Sequence, residues 1–313
     1  VAKKKIEKVI KDEKFEPNSN AKLLKQSVTS AITILIKGLH NAFFSIIVEK
    51  MQSYLQESGE DVSVVYLDEL ENEVEVAIRI CSEKKPKGLI FLGGNQKYFR
   101  ESFVSIKVPC VLCSESAAGM NFSNLSSFTT DDREAARAAA EYLIRSGHRR
   151  VGIVCGSAVS EAGLIGSKRV ESAIDAFKEN KIPFDKRKQF VPGKFSLEDG
   201  YNGTMKLLDR YPEITAIYAV SDVVAIGALR AINDRKLKVP QDISIIGNDG
   251  IDFARYATPR LATVEQDAAQ LAKRSVDDLL LRLNYNKPVI HEIIPFHVLA
   301  GESIRIKKPV EEK

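Results

Sequence analysis

Few residues in this chain combine the types and spacing that enzymatic chemistry requires. Cys110 and Cys113 have the spacing of a metal-binding or redox pair, but they lie in an apolar run of strand length, where residues three apart point to opposite faces. No second cysteine pair or nearby histidine completes a zinc-binding set. His148 follows Gly147 between a helix pattern and a strand pattern, which is typical of a turn. We therefore interpret both cysteines and His148 as structural.

The other candidate catalytic groups also lack partners in the sequence. His291 and His297 flank a late strand pattern, with no acid and serine arranged around them. Asp131 and Asp132 are typical of a helix N-cap. The chain has neither a G-x-G-x-x-G loop after its first strand nor a phosphate-binding P-loop. These observations predict a binding protein without a metal or a cofactor, and not an enzyme.

A second group of side chains suits recognition of a small ligand. Flat aromatic rings, a forked guanidinium and carboxylates are the groups that bind a sugar or a nucleobase. The alternative for the two adjacent phenylalanines is a place in the core, and the alternative for Asp249 is a turn. The candidates are Phe43, Phe44, Arg169, Phe195, Asp222 and Asp249.

The elements that must position these side chains alternate between strand and helix patterns. Apolar strands that alternate with amphipathic helices predict parallel sheets covered on both faces. The alternation passes through four strands and a helix and begins again near residue 151. The predicted fold class is therefore α/β, with two doubly wound parallel-sheet subdomains. Strand patterns cover 31–36, 62–67, 88–92, 108–112, 151–155, 188–191, 216–220 and 243–246, and helix patterns cover 43–58, 71–84, 132–146, 167–180, 198–210, 223–235 and 267–284.

Polar residues directly follow most of the strand patterns. In open parallel sheets, ligands bind beyond the carboxyl ends of the strands. Two such subdomains facing each other form a cleft between these ends, which predicts a small polar ligand held between two lobes. The polar positions are His40-Asn41, Asp68, Gly93-Gly94-Asn95, Ser114-Glu115, Ser157, Ser221-Asp222 and Asn248-Asp249.

Length and composition exclude several classes of protein. The 313 residues are 44% hydrophobic and 28% charged, as in a globular protein of about two domains. No apolar stretch approaches the roughly 20 residues of a membrane helix, and the N-terminus has no signal region. Four scattered cysteines fit a reducing compartment better than a disulfide scaffold. We predict a cytoplasmic protein with no membrane partner.

The net charge of +4 is concentrated at the N-terminus. Residues 1–26 contain eight lysines and four acids, and the rest of the chain has equal numbers of basic and acidic residues. A basic arm indicates a polyanionic partner, with a solvated tail as the alternative. An apolar stripe at helical spacing ends before Pro17, and a second helix-compatible run follows. Because the chain starts at Val1 without a methionine, we expect a fragment whose first helices are absent.

Specific motifs occur along essentially the whole chain. One motif, FEPN, is similar to Y-x-P-N, and another, NAFF, is similar to N-P-F-F. The run LIRSGHRRV is similar to L-I-x-x-G-H-R-R-I. The segment AVSD followed by AIGA is similar to A-x-N-D-x-x-A-x-G-A, and VPQDISIIGNDG is similar to V-P-x-D-I-S-V-V-G-x-D. On this resemblance, the chain is identified as a member of the lactose-repressor/galactose-repressor (LacI/GalR) family of bacterial transcription regulators. In this chain the motifs cover residues 15–18, 41–44, 143–151, 219–228 and 239–250, with LATV at 261–264 and Gln266.

The resemblance implies a domain order. A helix-turn-helix headpiece, of which only the end is present, and a hinge helix precede a core like that of periplasmic sugar-binding proteins. The chain of this core crosses three times between its subdomains, and we place the crossings near Gly147, Val264 and Pro288. The implied segments are the headpiece remnant 1–18, the hinge and linker 19–30, an N-terminal subdomain of 31–147 plus 265–287, a C-terminal subdomain of 148–264 plus 288–306, and a tail at 307–313.

The resemblance also implies contacts with an effector and with DNA. Ala42 replaces a proline, Ser221 replaces the usual asparagine, and Ser172-Ala173 replace a glycine-aromatic pair, so the effector stays open between a sugar, a sugar phosphate and a purine. In the hinge, Leu24 would enter the minor groove while lysines hold phosphates. Effector positions are Phe43, Phe44, Arg169, Phe195, Ser221, Asp249 and Gln266, with Asp222 beside them, and hinge positions are Ala21, Lys22, Leu24 and Lys25.

The implied mechanism is a two-state switch in a homodimer. An effector, in the first instance a sugar or sugar derivative, biases the angle between the lobes and thereby the spacing of two hinge helices on operator DNA. The alternatives are an extracytoplasmic sugar-binding protein of the same core fold and a sugar-processing enzyme. We expect Arg169→Ala and Asp249→Ala to abolish effector binding and to leave the fold intact.

Overall fold

The computed structural model describes residues 31–38, 41–156 and 165–306 of the chain. The strands are β1 (Ile32–Lys37), β2 (Val62–Leu67), β3 (Gly88–Leu92), β4 (Cys110–Cys113), β5 (Leu125–Thr129), β6 (Val151–Val154), β7 (Phe190–Val191), β8 (Ala216–Ala219), β9 (Ser244–Asp249), β10 (Ala262–Gln266), β11 (His291–Ile293) and β12 (Phe296–Leu299). The helices are α1 (Ala42–Glu57), α2 (Glu73–Lys84), α3 (Gln96–Ser102), α4 (Asp132–Arg145), α5 (Ile165–Glu179), α6 (Lys186–Gln189), α7 (Leu197–Arg210), α8 (Asp222–Asp234), α9 (Asp252–Tyr256) and α10 (Ala268–Tyr285).

These strands form two six-stranded sheets. The first has the order β11-β5-β4-β3-β1-β2 and is parallel throughout. The second has the order β12-β10-β9-β8-β6-β7 and is parallel except for the β10–β12 pair. Helices cover both faces, so the predicted α/β fold class with two doubly wound subdomains is confirmed. The predicted headpiece, the hinge and the tail lie outside the described residues.

The two cysteines of β4 lie on opposite faces of the first sheet. Cys110 packs into the core that α2 and α3 cover, whereas Cys113 packs into the core that α1 and α10 cover. Both are free and fully buried, and burial raises the pKa of Cys113 to about 12. Each thiol therefore stays protonated and fills core volume, as the sequence predicts.

The first crossing between the lobes lies earlier than the sequence predicts. It is expected near Gly147, which would leave α4 on the first sheet. Instead α4 packs in the core of the second sheet, so the chain crosses between Thr129 and Asp132. The prediction is wrong because periodicity shows which face of a helix is buried, but not against which sheet. That face consists of Ala135, Ala136, Ala139, Ala140 and Leu143.

The other two crossings are fixed by the pairing of the last strands. The chain leaves the second sheet at Gln266, close to the predicted Val264, and α10 packs on β3, β4 and β5. Strand β11 pairs with β5 in the first sheet and β12 pairs with β10 in the second. The third crossing therefore lies between Ile293 and Phe296, and its predicted position near Pro288 is wrong. Below, the first lobe is the first sheet with α1–α3 and α10, and the second lobe is the second sheet with α4–α9.

Candidate functional site

Arg169 of α5 is the centre of a buried ionic cluster in the second lobe. Its side chain is only 5% exposed. Nε donates to Asp132 Oδ1 at 2.7 Å, and Nη1 donates to the Val220 carbonyl at 2.7 Å and to Asp249 Oδ1 at 3.0 Å. Burial alone would lower the pKa of Arg169, but Asp249 and Asp132 outweigh it and raise the pKa. The guanidinium therefore stays charged, and its Nη2 makes no hydrogen bond with any described residue.

Asp249 ends β9 and presents one carboxylate oxygen for a ligand. Its Oδ1 accepts hydrogen bonds from Arg169, from Gln266 Nε2 at 2.8 Å and from Asn248 Nδ2 at 3.2 Å. Its Oδ2 makes none within the described part of the chain. The backbone φ of Asp249 is +117°, a conformation that is costly for a residue with a side chain and is often found at functional sites. Burial raises the pKa of Asp249, and Arg169 opposes this rise.

A pocket of about 330 Å³ joins this cluster to the first lobe. Phe43 of α1 lines it from one side, and Asp249 and Gln266 line it from the other. The N-cap residue Asn41 holds the start of α1 by accepting hydrogen bonds from the amides of Phe43 and Phe44, even though Ala42 replaces a proline. The structure therefore brings Phe43, Arg169, Asp249 and Gln266 to one place between the lobes.

Two other predicted effector positions face the protein interior. Phe44 is 6% exposed and packs so closely on Gly93 that a Cβ there would lie 2.8 Å from the Phe44 ring. Phe195 is half-buried against the core of the second lobe. For Phe44, the contacts favour the alternative of a core residue at the start of a helix.

Ser221 and Asp222 also have contacts that explain them structurally. Ser221 caps α8 by accepting a hydrogen bond from the amide of Val224 at 3.3 Å. Asp222 is fully buried; its Oδ2 accepts from the amides of Gly250 and Ile251 at 2.7 and 2.9 Å, and its Oδ1 accepts from Thr263 Oγ1 at 2.6 Å. These contacts leave Asp222 no free oxygen for an effector. It instead fixes the loop after Asp249, and acts on the site by positioning.

We expect Asp222→Ala to destabilise the protein by about 3 kcal/mol or more, because two buried amides and a hydroxyl lose their acceptor. Asp222→Asn keeps one acceptor oxygen for the two amides and should cost much less. Burial raises the pKa of Asp222 well above its ordinary value, so this group favours folding most at low pH and loses that contribution as the pH rises. Urea denaturation at several pH values checks both points, and equal losses in the two variants would contradict this role.

Two functional candidates escape the sequence reasoning. Asp131 caps α4, as predicted, by accepting from the amides of Arg133 and Glu134, but its neighbour Asp132 binds Arg169. In the sequence, the two adjacent aspartates at the start of a helix pattern are the only feature that indicates a further role for Asp132. The other is Lys168 of α5, which forms an ion pair of 2.8 Å between the lobes with Glu115, one of the polar positions predicted after the strands.

His148 and His291 take structural positions, whereas His297 lines the pocket between the lobes. His148 is 1% exposed, and its ring nitrogens lie 3.1 Å from Thr215 Oγ1 and 3.1 Å from the Arg305 carbonyl. His291 Nδ1 lies 2.9 Å from Ser127 Oγ. The two residues are paired across β11 and β5, and Ser127 is 1% exposed, so the contact joins two strands and offers no accessible nucleophile.

Two facing lobes with a polar cluster at the strand ends define a ligand-binding protein of the periplasmic type. The family model of the periplasmic binding protein-like domain matches residues 140–304, more than half of the chain. The chain is 34% identical over 306 residues to the HTH-type transcriptional regulator MalR of Clostridium butyricum, which covers 96% of this chain and 90% of the relative. The protein therefore belongs to the LacI/GalR family of transcriptional regulators, which confirms the resemblance.

Two further comparisons extend this result. The ribose operon repressor of Haemophilus influenzae is 26% identical over 281 residues, covering 90% of this chain and 82% of the relative. The lac repressor dimer bound to operator and to the anti-inducer ONPF has the same fold, with a TM-score of 0.76 at 22% identity, and covers 93% of this chain and 99% of that one. Within the described residues, no helix is long and apolar enough to cross a membrane.

Proposed function

We propose that this protein is a transcriptional repressor whose core binds a small sugar between the lobes. The observation that carries the proposal is the cluster of Arg169, Asp249 and Gln266 beside the pocket. Among the residues that the structure describes, it leaves an acceptor, Asp249 Oδ2, and a donor, Arg169 Nη2, without hydrogen-bond partners. A sugar hydroxyl both donates and accepts, so it satisfies the two together.

The other residues of the cluster hold these two groups in place. Asp132 and the Val220 carbonyl fix the guanidinium, and Gln266 fixes the carboxylate. Phe43 lines the pocket from the first lobe, and it is itself 3% exposed and packed in the core of that lobe. The name of one relative, a ribose operon repressor, agrees with a sugar effector.

The same site couples the effector to DNA. All three chain crossings lie where the lobes meet, at 129–132, 266–268 and 293–296, so a ligand held by both lobes biases their relative angle. We propose that residues 19–30 transmit this change to operator DNA in a cytoplasmic homodimer, with Ala21, Lys22, Leu24 and Lys25 at the DNA. An extracytoplasmic binding protein and a sugar-processing enzyme remain the alternatives.

A DNA-release experiment on the full-length protein tests this proposal. Operator binding is measured by fluorescence anisotropy while ribose, glucose, maltose, their phosphates and purines are added in turn. We expect at least one sugar to change operator affinity without being consumed. Binding of sugars without any retention on DNA would favour the extracytoplasmic protein, and conversion of the sugar would favour the enzyme.

We expect a homodimer in solution, because two hinge helices must lie side by side on a two-fold operator. Sedimentation velocity at micromolar concentration should give a particle of about twice the 34.7 kDa chain mass. A purely monomeric protein under these conditions would count against the proposed arrangement.

A further inference from the structure

We infer that the effector is an uncharged sugar, and that the cleft rejects sugar phosphates and sugar acids. This inference rests on the proposed function, because it concerns the same cleft. It narrows the effector class, which the sequence leaves open between sugars, sugar phosphates and purines. The preference for a neutral sugar follows from the charges around the cleft.

Arg169 cannot serve as a counter-ion for an anionic ligand. Its single positive charge already faces two carboxylates, Asp132 at 2.7 Å and Asp249 at 3.0 Å. The group of three therefore has a net negative charge. Nη2 still offers a hydrogen bond, but a bound phosphate would lie beside two buried carboxylates that repel it.

Lys168, the next cation on α5, already forms an ion pair between the lobes and does not offer its charge to an anionic ligand. Its Nζ lies 2.8 Å from both carboxylate oxygens of Glu115, a first-lobe residue whose side chain is 4% exposed. Glu115 also accepts hydrogen bonds from Gln96 Nε2 at 3.0 Å and from the amide of Ser116 at 2.8 Å. An anion that recruited Lys168 would leave a buried carboxylate without its counter-ion, which is strongly unfavourable.

The rest of the cleft adds negative charge. The pocket contains four carboxylates but only two cations, and one of these, Arg255, lies 2.5 Å from Glu265. On the first lobe, Lys37 pairs with Glu73, which is 1% exposed. The pocket carboxylates are Asp249, Asp252, Glu265 and Asp267, and its cations are Lys50 and Arg255.

These charges distinguish a hydroxyl from an anion. A hydroxyl donates to Asp249 Oδ2 and accepts from Arg169 Nη2, whereas a phosphate or carboxylate can only accept and meets like charge at Asp249. A like charge at about 6 Å in a partly buried site costs enough to weaken binding on the order of 100-fold. We therefore expect each anionic sugar to bind far more weakly than its neutral parent.

Matched pairs of ligands test the inference by isothermal titration calorimetry at fixed ionic strength. The pairs are ribose with ribose 5-phosphate, glucose with glucose 6-phosphate and with glucuronate, and maltose with maltose 6-phosphate. For any pair that binds, the neutral member should bind at least about tenfold more tightly. An anionic member that binds as tightly as its parent would overturn the inference and leave the proposed function standing. If no sugar of either kind binds, the proposed function fails and the inference with it.

The variant Glu115→Gln tests the cause of the rejection. This substitution removes the negative charge that pairs with Lys168 and keeps the size of the side chain at position 115. Because the lysine then becomes available to an anion, the preference for the neutral sugar should shrink by about tenfold or more. The matched control is Glu171→Gln on the same helix, which removes the exposed ion pair with Arg133 and should leave the preference unchanged. An unchanged preference in Glu115→Gln would contradict the role of this ion pair.

Discussion

Replacing Arg169 with alanine is expected to abolish effector binding and, in addition, to destabilise the second lobe. The binding loss follows from the missing donor and from the release of Asp249, which Arg169 holds at 3.0 Å. A charge-assisted hydrogen bond of this kind contributes about 1.5–3 kcal/mol. The loss of stability follows because Asp132 and Asp249 would stay buried without their counter-ion, at a cost of about 3–5 kcal/mol.

Calorimetry of the effector and urea denaturation separate the two effects. Arg133→Ala is the control, since that arginine lies on the neighbouring helix with a side chain 54% exposed and forms an exposed ion pair with Glu171. It should retain full affinity and change stability by less than about 0.5 kcal/mol. Asp249→Ala should lose binding as well, and unchanged affinity in both Arg169→Ala and Asp249→Ala would show that the site assignment is wrong.

The loss of stability differs from what the sequence predicts for Arg169→Ala. A side chain that contacts an effector is expected at the surface of a cleft, where its removal leaves the fold intact. In the structure its guanidinium lies inside the second lobe and satisfies the Val220 carbonyl as well as two carboxylates. Binding and stability therefore depend on the same ion pairs.

Strand patterns predict this fold well where strands are continuously apolar, and poorly where they are not. β3 is apolar throughout, β1 is apolar apart from Thr33 and Lys37, and both lie close to their predicted positions. β5 has the sequence LSSFT and is buried along its whole length. Because three of its five residues carry hydroxyl groups, a search for apolar runs does not predict this strand. The predicted strand 188–191 begins as the short helix α6, because Asp185 caps a turn there, and only its last two residues form β7.

The sequence predicts part of the site. The family motifs contribute more to this prediction than the hydrophobicity patterns of strands and helices. Asp249 and Gln266 stand in family motifs, Arg169 is an effector position that the resemblance implies, and Asp249 contacts both of the others in the structure. The sequence does not indicate the contact of Asp132 with Arg169, because a carboxylate at the first turn of a helix is already explained by the helix N-cap. The Lys168–Glu115 ion pair joins residues of different lobes, so no spacing in the sequence could reveal it.

Gly227→Ala is expected to have the largest effect on stability of any single-methyl change in the second lobe. In an exposed helix this substitution stabilises by about 0.8–1 kcal/mol through helix propensity. Here Gly227 of α8 faces α7, and a Cβ would lie 2.1 Å from the Leu197 carbonyl oxygen and 2.8 Å from the Tyr201 nitrogen. Both are backbone atoms, which cannot move aside as a side chain can.

The two helices would have to separate, and their packing shows why this is costly. Gly200 of α7 makes the reciprocal approach, with its Cβ position 2.3 Å from the Val224 carbonyl oxygen of α8. Separation would open the core around Leu207, Ala225 and Ala228, all of which are fully buried. We expect a net loss of about 3 kcal/mol or more, since overpacking outweighs the propensity gain.

Thermal denaturation should show this as a lower melting temperature, by roughly 10 °C for a lobe of this size. Asn202→Ala is the matched control, because it places alanine at an exposed position of α7 where nothing obstructs the methyl group. The control should melt at or slightly above the temperature of the unmodified protein. If Gly227→Ala behaved like this control, the close approach of α7 and α8 would be wrong. The position of Ser221 and Asp222 at the start of α8, beside the effector cluster, would then need revision too, because the α7 contact sets how that helix end meets β9.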